Sequence, residues 1–316
     1  MEFKHNPVLL QECIEGLEIK PDGIYVDGTL GGAGHSSKIV EKLSNKGLLI
    51  GIDRDLEALS VAKDRLNQYS NIRYVHGNHD NIKQILEDLG IEKVDGILLD
   101  LGVSSYQLDE KTRGFSYMED AKLDMRMDKT QELTAEVVVN EYSEEELSKI
   151  IYDYGEERFS KIIAKNICKE RINKRIETTG ELVQIIRNSI PKSKQIDGHP
   201  AKRTFQAIRI EVNDEIKPLY NCIREAIEVL NENGRLAVIT FHSLEDRAVK
   251  DAMVEAEGKC TCPKDLPYCV CNYESFGKML TKKPILPSKE EQEKNSRSKS
   301  AKLRIFERIN KENQDK

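Results

Sequence analysis

Ile24-Tyr25-Val26-Asp27-Gly28-Thr29-Leu30-Gly31-Gly32-Ala33-Gly34-His35 is the stretch that decides the fold of this chain. Its first residues form a short strand closed by Asp27. The glycines that follow let the backbone turn sharply and let a ligand lie against it, with the N-terminus of the next helix behind. Structural turns also use glycine, so the turn by itself says little. Its position directly after a first strand is what points to a nucleotide-like ligand.

Outward from this turn, strand-like and helix-like periods alternate. Residues 36–43 read as helix, with Ile39, Val40 and Leu43 on one side, and Leu48 to Ile52 is a continuous apolar run suited to a strand buried on both faces. Helix is expected over 56–66, strand over 72–75, helix over 82–89 and strand over 94–99. That rhythm predicts a parallel, doubly wound α/β sheet. It stops after Asp100. Residues 134–189 are helix-period sequence rich in Glu, Lys and Arg, and the alternation resumes with a helix over 212–230, a stop at Gly234 and a strand over 236–241. The chain therefore reads as an α/β sheet with a helical domain inserted after the fourth strand: 1–107 the first part of the sheet domain, 108–207 the insertion, and 208–316 the second part with a basic tail. Segments 278–285 and 301–309 are expected to pair as closing strands, with a mobile polar connection over 288–300.

The 316 residues fit one large domain or two ordinary ones, and 38% hydrophobic content is enough to bury a core. No run of about 20 apolar residues suggests a membrane span, and the first ten residues lack the apolar core of a signal peptide. Seven cysteines, with Cys13, Cys168 and Cys222 scattered in helical segments, suggest a reducing, cytoplasmic setting without a disulfide framework. Cys260, Cys262, Cys269 and Cys271 form a cluster that can be read as a zinc knuckle. Its one-residue spacings are tighter than the usual two to four, so a reduced loop is the preferred reading and no metal is assigned.

Net charge is −6, from 49 basic against 55 acidic residues, which argues against a polyanionic partner. The distribution argues the other way. Residues 158–209 carry 13 Lys and Arg against 4 acids, a local +9, and 278–311 carry 11 against 4, a local +7. Such segments can meet phosphates or can be solvated helix faces.

In an open α/β sheet, ligands sit beyond the carboxyl ends of the strands, so Asp27, Asp53, His79 and Asp100 should converge on one crevice. Asp53 ends the second strand, 19 residues beyond Gly34, where a carboxylate can accept from both hydroxyls of a ribose, in NAD or S-adenosylmethionine alike. A helix cap is the competing role, and Asp55 suits it better. His79 lies in the turn after the third strand, where an adenine can be gripped or where the turn is merely polar. Asp100-Leu101-Gly102-Val103-Ser104-Ser105 follows the fourth strand, with Gln107 just beyond, and the fifth strand adds Phe241-His242-Ser243-Leu244-Glu245-Asp246. A Ser–His–Asp hydrolase lacks its Gly-x-Ser-x-Gly elbow here.

Nine ordered motifs carry a resemblance: His5 to Leu10, Asp27 to His35, Ile52 to Asp55, Asp95 to Ser105, Arg113 to Ser116, Leu123 to Asp128, Tyr154 to Arg158, Thr204 to Arg209 and Phe241 to Arg247. Together they resemble the RsmH (MraW) family of bacterial 16S rRNA (cytosine-N4)-methyltransferases over nearly the whole chain. The resemblance implies a class I, Rossmann-like methyltransferase sheet with S-adenosylmethionine as methyl donor. The implied acceptor is a cytidine in the decoding region of 16S rRNA within the small ribosomal subunit; neither membrane nor DNA is an implied partner. It places cofactor contacts at Ala33, Gly34, His35, Asp53, His79, Asp100 and Gln107. Position 79 departs from the aromatic residue associated with relatives, although imidazole can also stack on adenine.

The chemistry follows from the acceptor. The exocyclic amine of cytosine is a poor nucleophile, so the site must hold it in line with the sulfonium methyl and accept its hydrogen bonds. Asp100 is the candidate acceptor, near the amine or near the donor's methionine end. His242 is the candidate to orient the base or relay a proton. The base must be unpaired or flipped, and the basic segments would grip phosphates. Two other readings stand beside this one. A nicotinamide-dependent dehydrogenase would want the G-x-G-x-x-G spacing, from which Gly28 to Gly34 departs. A non-catalytic RNA-binding assembly factor would have no need of Asp53 and Asp100 together.

Overall fold

The computed structural model describes residues 7–195, 198–258 and 275–309, and it divides the chain into two compact units. One contains the residues up to Gly102 and those from Ile216 onward; the other runs from Val103 to Glu215. The sequence reading set the seams at 107/108 and 207/208. The first seam falls earlier because Gly102, with φ +86, turns the chain out of the fourth strand. The second falls later because the helix Lys202–Asn213 buries Phe205, Ile208 and Val212 in the core of the insertion. The cysteine cluster at 260–271 lies outside the described residues.

The first unit is built on a seven-stranded sheet: β1 Ile24–Asp27, β2 Leu48–Asp53, β3 Ile72–His76, β4 Val94–Asp100, β5 Leu230–Thr240, β6 Gly277–Met279 and β7 Lys302–Arg308. The spatial order is β3-β2-β1-β4-β5-β7-β6, with β1 to β5 parallel and β7 antiparallel to both its neighbours. The order reverses at β1 and β4, the switch point at which such sheets bind ligands. Successive strand residues face opposite ways. Val26, Ile50, Leu99 and Val238 therefore join one core with the helices Ile82–Asp88, Leu219–Glu228 and Ser243–Glu257. Tyr25, Leu49, Leu98 and Ile239 join another with Leu10–Leu17, Gly34–Val40 and Leu56–Arg65.

Three sequence expectations change. The single helix expected over 212–230 is two, because Asp214 adopts a left-handed conformation (φ +48) and a new helix starts after Pro218. Gly234 lies inside β5, which already begins at Leu230; Asn233 at φ +59 and a register shift between Val94 and Gly96 absorb the extra residues. The polar connection before β7 is ordered, with a helix Lys289–Lys294 and a 3-10 turn Ser296–Ser300 that buries Ser298 completely.

The second unit is helical. Ala135–Glu141, Glu144–Asp153, Ser160–Asn173, Thr179–Ser189 and Lys202–Asn213 enclose a core of residues such as Leu123, Val138, Ile151, Ile163, Leu182 and Ile208. Two of its helices start with full capping boxes, Ser143 with Glu146 and Thr178 with Glu181.

Candidate active site

Strand register sets the shape of the site. Asp27 pairs with Gly51 of β2 and with Leu98 of β4, so Asp53 and Asp100 each extend two residues beyond it. At about 3.3 Å per residue, β1 ends in a notch roughly 6–7 Å deep. The glycine turn folds into this notch. Gly28 donates its N–H to the Leu98 carbonyl at 2.9 Å, and Leu30 donates to Ile52 at 3.0 Å, which stitches the turn to both flanking strands. A Cβ on Gly28 would stand 2.5 Å from Leu99 Cδ2 and 3.1 Å from His79 Cβ, so a side chain there would have to displace Leu99 and crowd His79. Gly31, at φ +48, donates its N–H to Asp53 Oδ2 at 2.7 Å.

Asp53 is thus engaged twice, since its Oδ1 also accepts from the Asp55 N–H at 2.8 Å. Burial nevertheless raises its pKa to about 6. Asp55 caps the helix Leu56–Arg65 by accepting from the Glu57 N–H, the role its position suggested. Asp27 is buried, accepting from the Ser36 hydroxyl at 2.7 Å and the Thr29 N–H at 3.2 Å; burial raises it, too, to about 6.

Asp100 differs from both. Its backbone N–H donates to Thr29 Oγ1 at 2.6 Å, but its Oδ1 is buried without a hydrogen-bond partner among the described residues. Its Oδ2 lies 3.8 Å from His35 Nδ1. Burial pushes its pKa up to about 6; His35 opposes the rise, and the charges of Asp27 and Glu245 add to it. The His35 ring is fixed because Nε2 lies 3.0 Å from the Val8 carbonyl, which can only accept; Nε2 therefore carries the proton and Nδ1 faces Asp100. Pro7 packs on the same loop, where a Cβ on Gly34 would meet its Cγ at 2.4 Å. The residues just before the first helix thus brace Gly34 and His35, and Glu291 secures them by accepting the Leu9 N–H at 2.9 Å.

His79 opens a short 3-10 turn and has its Cβ against Gly28. Burial, with help from Arg54, lowers its pKa to about 3, so the ring is neutral and able to stack. His79, Asp80 and Cys222 bring nitrogen, oxygen and sulfur within 4.8 Å of one another, a possible metal grouping. Arg54, which donates to Asn78 at 2.9 Å and lowers His79, sets a positive charge against a cation there.

His242 caps the helix Ser243–Glu257, a role the sequence reading missed. Its Nδ1 accepts from the Glu245 N–H at 3.4 Å, while the Glu245 carboxylate accepts from Phe241 at 2.7 Å and His242 at 3.3 Å. The proton therefore sits on Nε2, which lies 3.0 Å from Glu245 Oε1 without the alignment of a hydrogen bond. The spacing His-x-x-Glu at a strand end was the available signal, an imidazole version of the capping box. Asp246 has a structural task, pairing with Arg304 at 2.7 Å and Lys302 at 3.0 Å.

The structure therefore gathers Asp27, Ala33, Gly34, His35, Asp53, His79 and Asp100 around one turn. Gln107 belongs to the other unit, in the helix Ser105–Asp109, and its Oε1 accepts from the Ser104 N–H at 3.0 Å. Thr29, Ser36 and Glu245, which the sequence reading did not single out, hold the carboxylates and the ring in place.

Much of the basic charge is used internally. Arg175 pairs with Glu136 and Glu141, Lys174 with Glu181, and Arg171 donates to the Val139 carbonyl. In the C-terminal segment Lys302 and Arg304 pair with Asp246, Lys278 with Glu307 and Lys294 with Glu290. Among the described residues no helix is long and apolar enough to cross a membrane.

A sheet of this order, with a glycine turn in the β1 notch and carboxylates ending β1, β2 and β4, defines a class I, Rossmann-like methyltransferase. The chain belongs to the MraW methylase family, whose model matches residues 2–309. It is similar to the Ribosomal RNA small subunit methyltransferase H of Clostridioides difficile (strain 630), 60% identical over 311 residues covering 98% of this chain and 100% of the relative. A relative of the same description from Clostridium botulinum (strain Kyoto / Type A2) is 61% identical over 309 residues, covering 98% and 100%. The chain is therefore an enzyme that takes its methyl group from S-adenosylmethionine, which sets aside the dehydrogenase and the non-catalytic assembly factor.

Proposed function

We propose that this enzyme methylates the exocyclic N4 amine of a cytidine in the decoding region of 16S rRNA, with the small ribosomal subunit as acceptor and the cytoplasm as its place of work. Family membership and the small-subunit rRNA methyltransferases that match the full chain support the reaction. The observation that carries the site is the Oδ1 of Asp100, a buried acceptor at the lip of the notch with no hydrogen-bond partner among the described residues. A buried carboxylate oxygen without a partner is costly and calls for a donor group.

S-adenosylmethionine, when bound, supplies a methyl group on a positively charged sulfur. The orphaned Asp100 oxygen and the glycine cradle suit such a cationic ligand. Ala33, Gly34 and His35 would hold it along the turn, Asp53 by its ribose hydroxyls and His79 by stacking on adenine. Asp100 would accept a hydrogen bond from the donor's ammonium group or the base amine, and its negative charge would stabilise the positive charge that grows on the amine nitrogen as it attacks the methyl group. His242, locked by its capping box, would help orient the base or relay a proton.

The test supplies methyl-labelled S-adenosylmethionine with 30S particles or protein-free 16S rRNA and maps the modified nucleotide. Label on the N4 amine of one decoding-region cytidine is the expected result. Label on another atom or another RNA would overturn the acceptor assignment, and label on naked RNA alone would overturn the subunit as acceptor.

A further inference from the structure

The helix Ser160–Asn173 of the second unit buries Ser160, Ile163, Ala164 and Ile167. At about 100° per residue, the opposite side presents Lys161, Ile162, Lys165, Lys169 and Ile172. All three lysines are exposed, and among the described residues none pairs with a carboxylate. The helix has a single acid, Glu170, which lies about 100° round from Lys169. Ile172 is 83% exposed and Ile162 40%, unusual for isoleucines set among cations. A merely solvated helix face would carry mixed charges and few apolar side chains. Neighbouring cations beyond this helix, Lys174 and Arg175, are by contrast consumed by Glu181, Glu136 and Glu141.

We infer that Lys161, Lys165 and Lys169 form a ladder that follows the phosphate backbone of the acceptor rRNA, with Ile162 and Ile172 packing beside it on the sugars. Lysines at i, i+4 and i+8 rise about 6 Å per step, close to the phosphate spacing of an RNA strand. The three ammonium groups replace condensed counterions, which gives the contact a salt dependence, and the two isoleucines leave water. This inference rests on the rRNA reading above and specifies which surface meets that acceptor.

The experiment measures binding to 30S particles by filter retention across a series of salt concentrations. It compares the parent with Lys161→Ala/Lys165→Ala/Lys169→Ala, Ile172→Ser and the control Lys174→Ala/Arg175→Ala. The triple variant should bind roughly 10- to 100-fold more weakly at low salt, with a slope of log K against log salt shallower by about two to three units. Ile172→Ser should weaken binding several-fold without changing the slope, and the control should keep the parent slope. Calorimetry with S-adenosylmethionine should give one affinity for all four proteins, which shows that the sheet is intact. Should the triple variant fail to fold, Lys165→Gln alone should still lower the slope by about one unit. A parent slope in the folded lysine variants would overturn the ladder while leaving the rRNA reading in place. A parent enzyme that does not bind 30S particles at any salt concentration would overturn both.

Discussion

The carboxylates at the strand ends of the sheet unit and two ion-paired carboxylates of the helical unit meet opposite fates. In the helical unit Asp124 accepts two parallel hydrogen bonds from Arg126, Nε to Oδ1 and Nη2 to Oδ2, both at 2.9 Å. Burial pushes its carboxyl up, but the Arg126 hydrogen bonds and charge outweigh burial and hold it below its usual value. In the same unit Arg209 grips Glu215 through two contacts of 2.9 Å. At the strand ends of the sheet unit, Asp27, Asp53 and Asp100 are all raised to about 6, and Asp100 keeps an oxygen without a partner among the described residues. Paired acids hold a structure together. Unpaired buried acids cost stability, and their persistence at a ligand-binding switch point is what the proposed site rests on.

The largest expected effect comes from breaking this contrast at Asp100. Asp100→Asn should slow methyl transfer at least about a hundredfold, because an amide cannot supply negative charge to the developing cation. Its melting temperature should stay level or rise, since a buried charge has been removed. Turnover assays on 30S particles beside thermal melts check both halves, and parental turnover would remove Asp100 from the chemistry. Asp53→Ala comes next. Losing charge-assisted acceptors for the ribose should weaken S-adenosylmethionine binding by roughly 2–3 kcal/mol in calorimetry. Unchanged affinity would reduce Asp53 to a brace for Gly31. The mirror experiment is Asp124→Asn, which should lower stability by about 1–3 kcal/mol because the Arg126 guanidinium loses its matched partner. Donor affinity should not change, and a shift in it would break the division of labour between the units.

The strand ends were legible because a parallel sheet needs continuous apolar runs and a Gly-rich first turn, both visible in the one-dimensional pattern around Val26 and Ile50. Asp53 and Asp100 followed from being the last residues of their strands. What stayed hidden depends on partners far away in sequence. Nothing near Arg175 announces Glu136, so a local charge count overstated the free basic surface. Glu291 holding Leu9 spans nearly the whole chain, and the segment around it read as a mobile tether for that reason. The one-helix reading of 212–230 failed because a left-handed Asp214 leaves no periodic signature.

The smallest effect, and the sharpest in sign, is the pH dependence of stability. Asp100 has a folded pKa of about 6 against an ordinary 3.8, so between about pH 4 and 6 the folded chain holds a proton that the unfolded chain has released. Its contribution to stability is present at low pH, is lost as pH rises through that window, and does not return above it. Asp27 and Asp53 act in the same direction. Asp124 is depressed, so its contribution is present above the ordinary carboxyl pKa and is lost as pH falls through the lowered value. Melting curves should therefore separate the two variants. Relative to the parent, Asp100→Asn should gain more at about pH 7.5 than at about pH 4.5, where the parent's carboxyl is already protonated. Asp124→Asn should lose most near neutrality and progressively less as the acid limit is approached. Methyl transfer should decline below about pH 6, the range in which Asp100 takes up its proton. If Asp100→Asn gains as much at about pH 4.5 as at about pH 7.5, or if Asp124→Asn loses as much near the acid limit as at neutrality, the contrast between the strand-end acids of the sheet and the paired acids of the insertion does not hold.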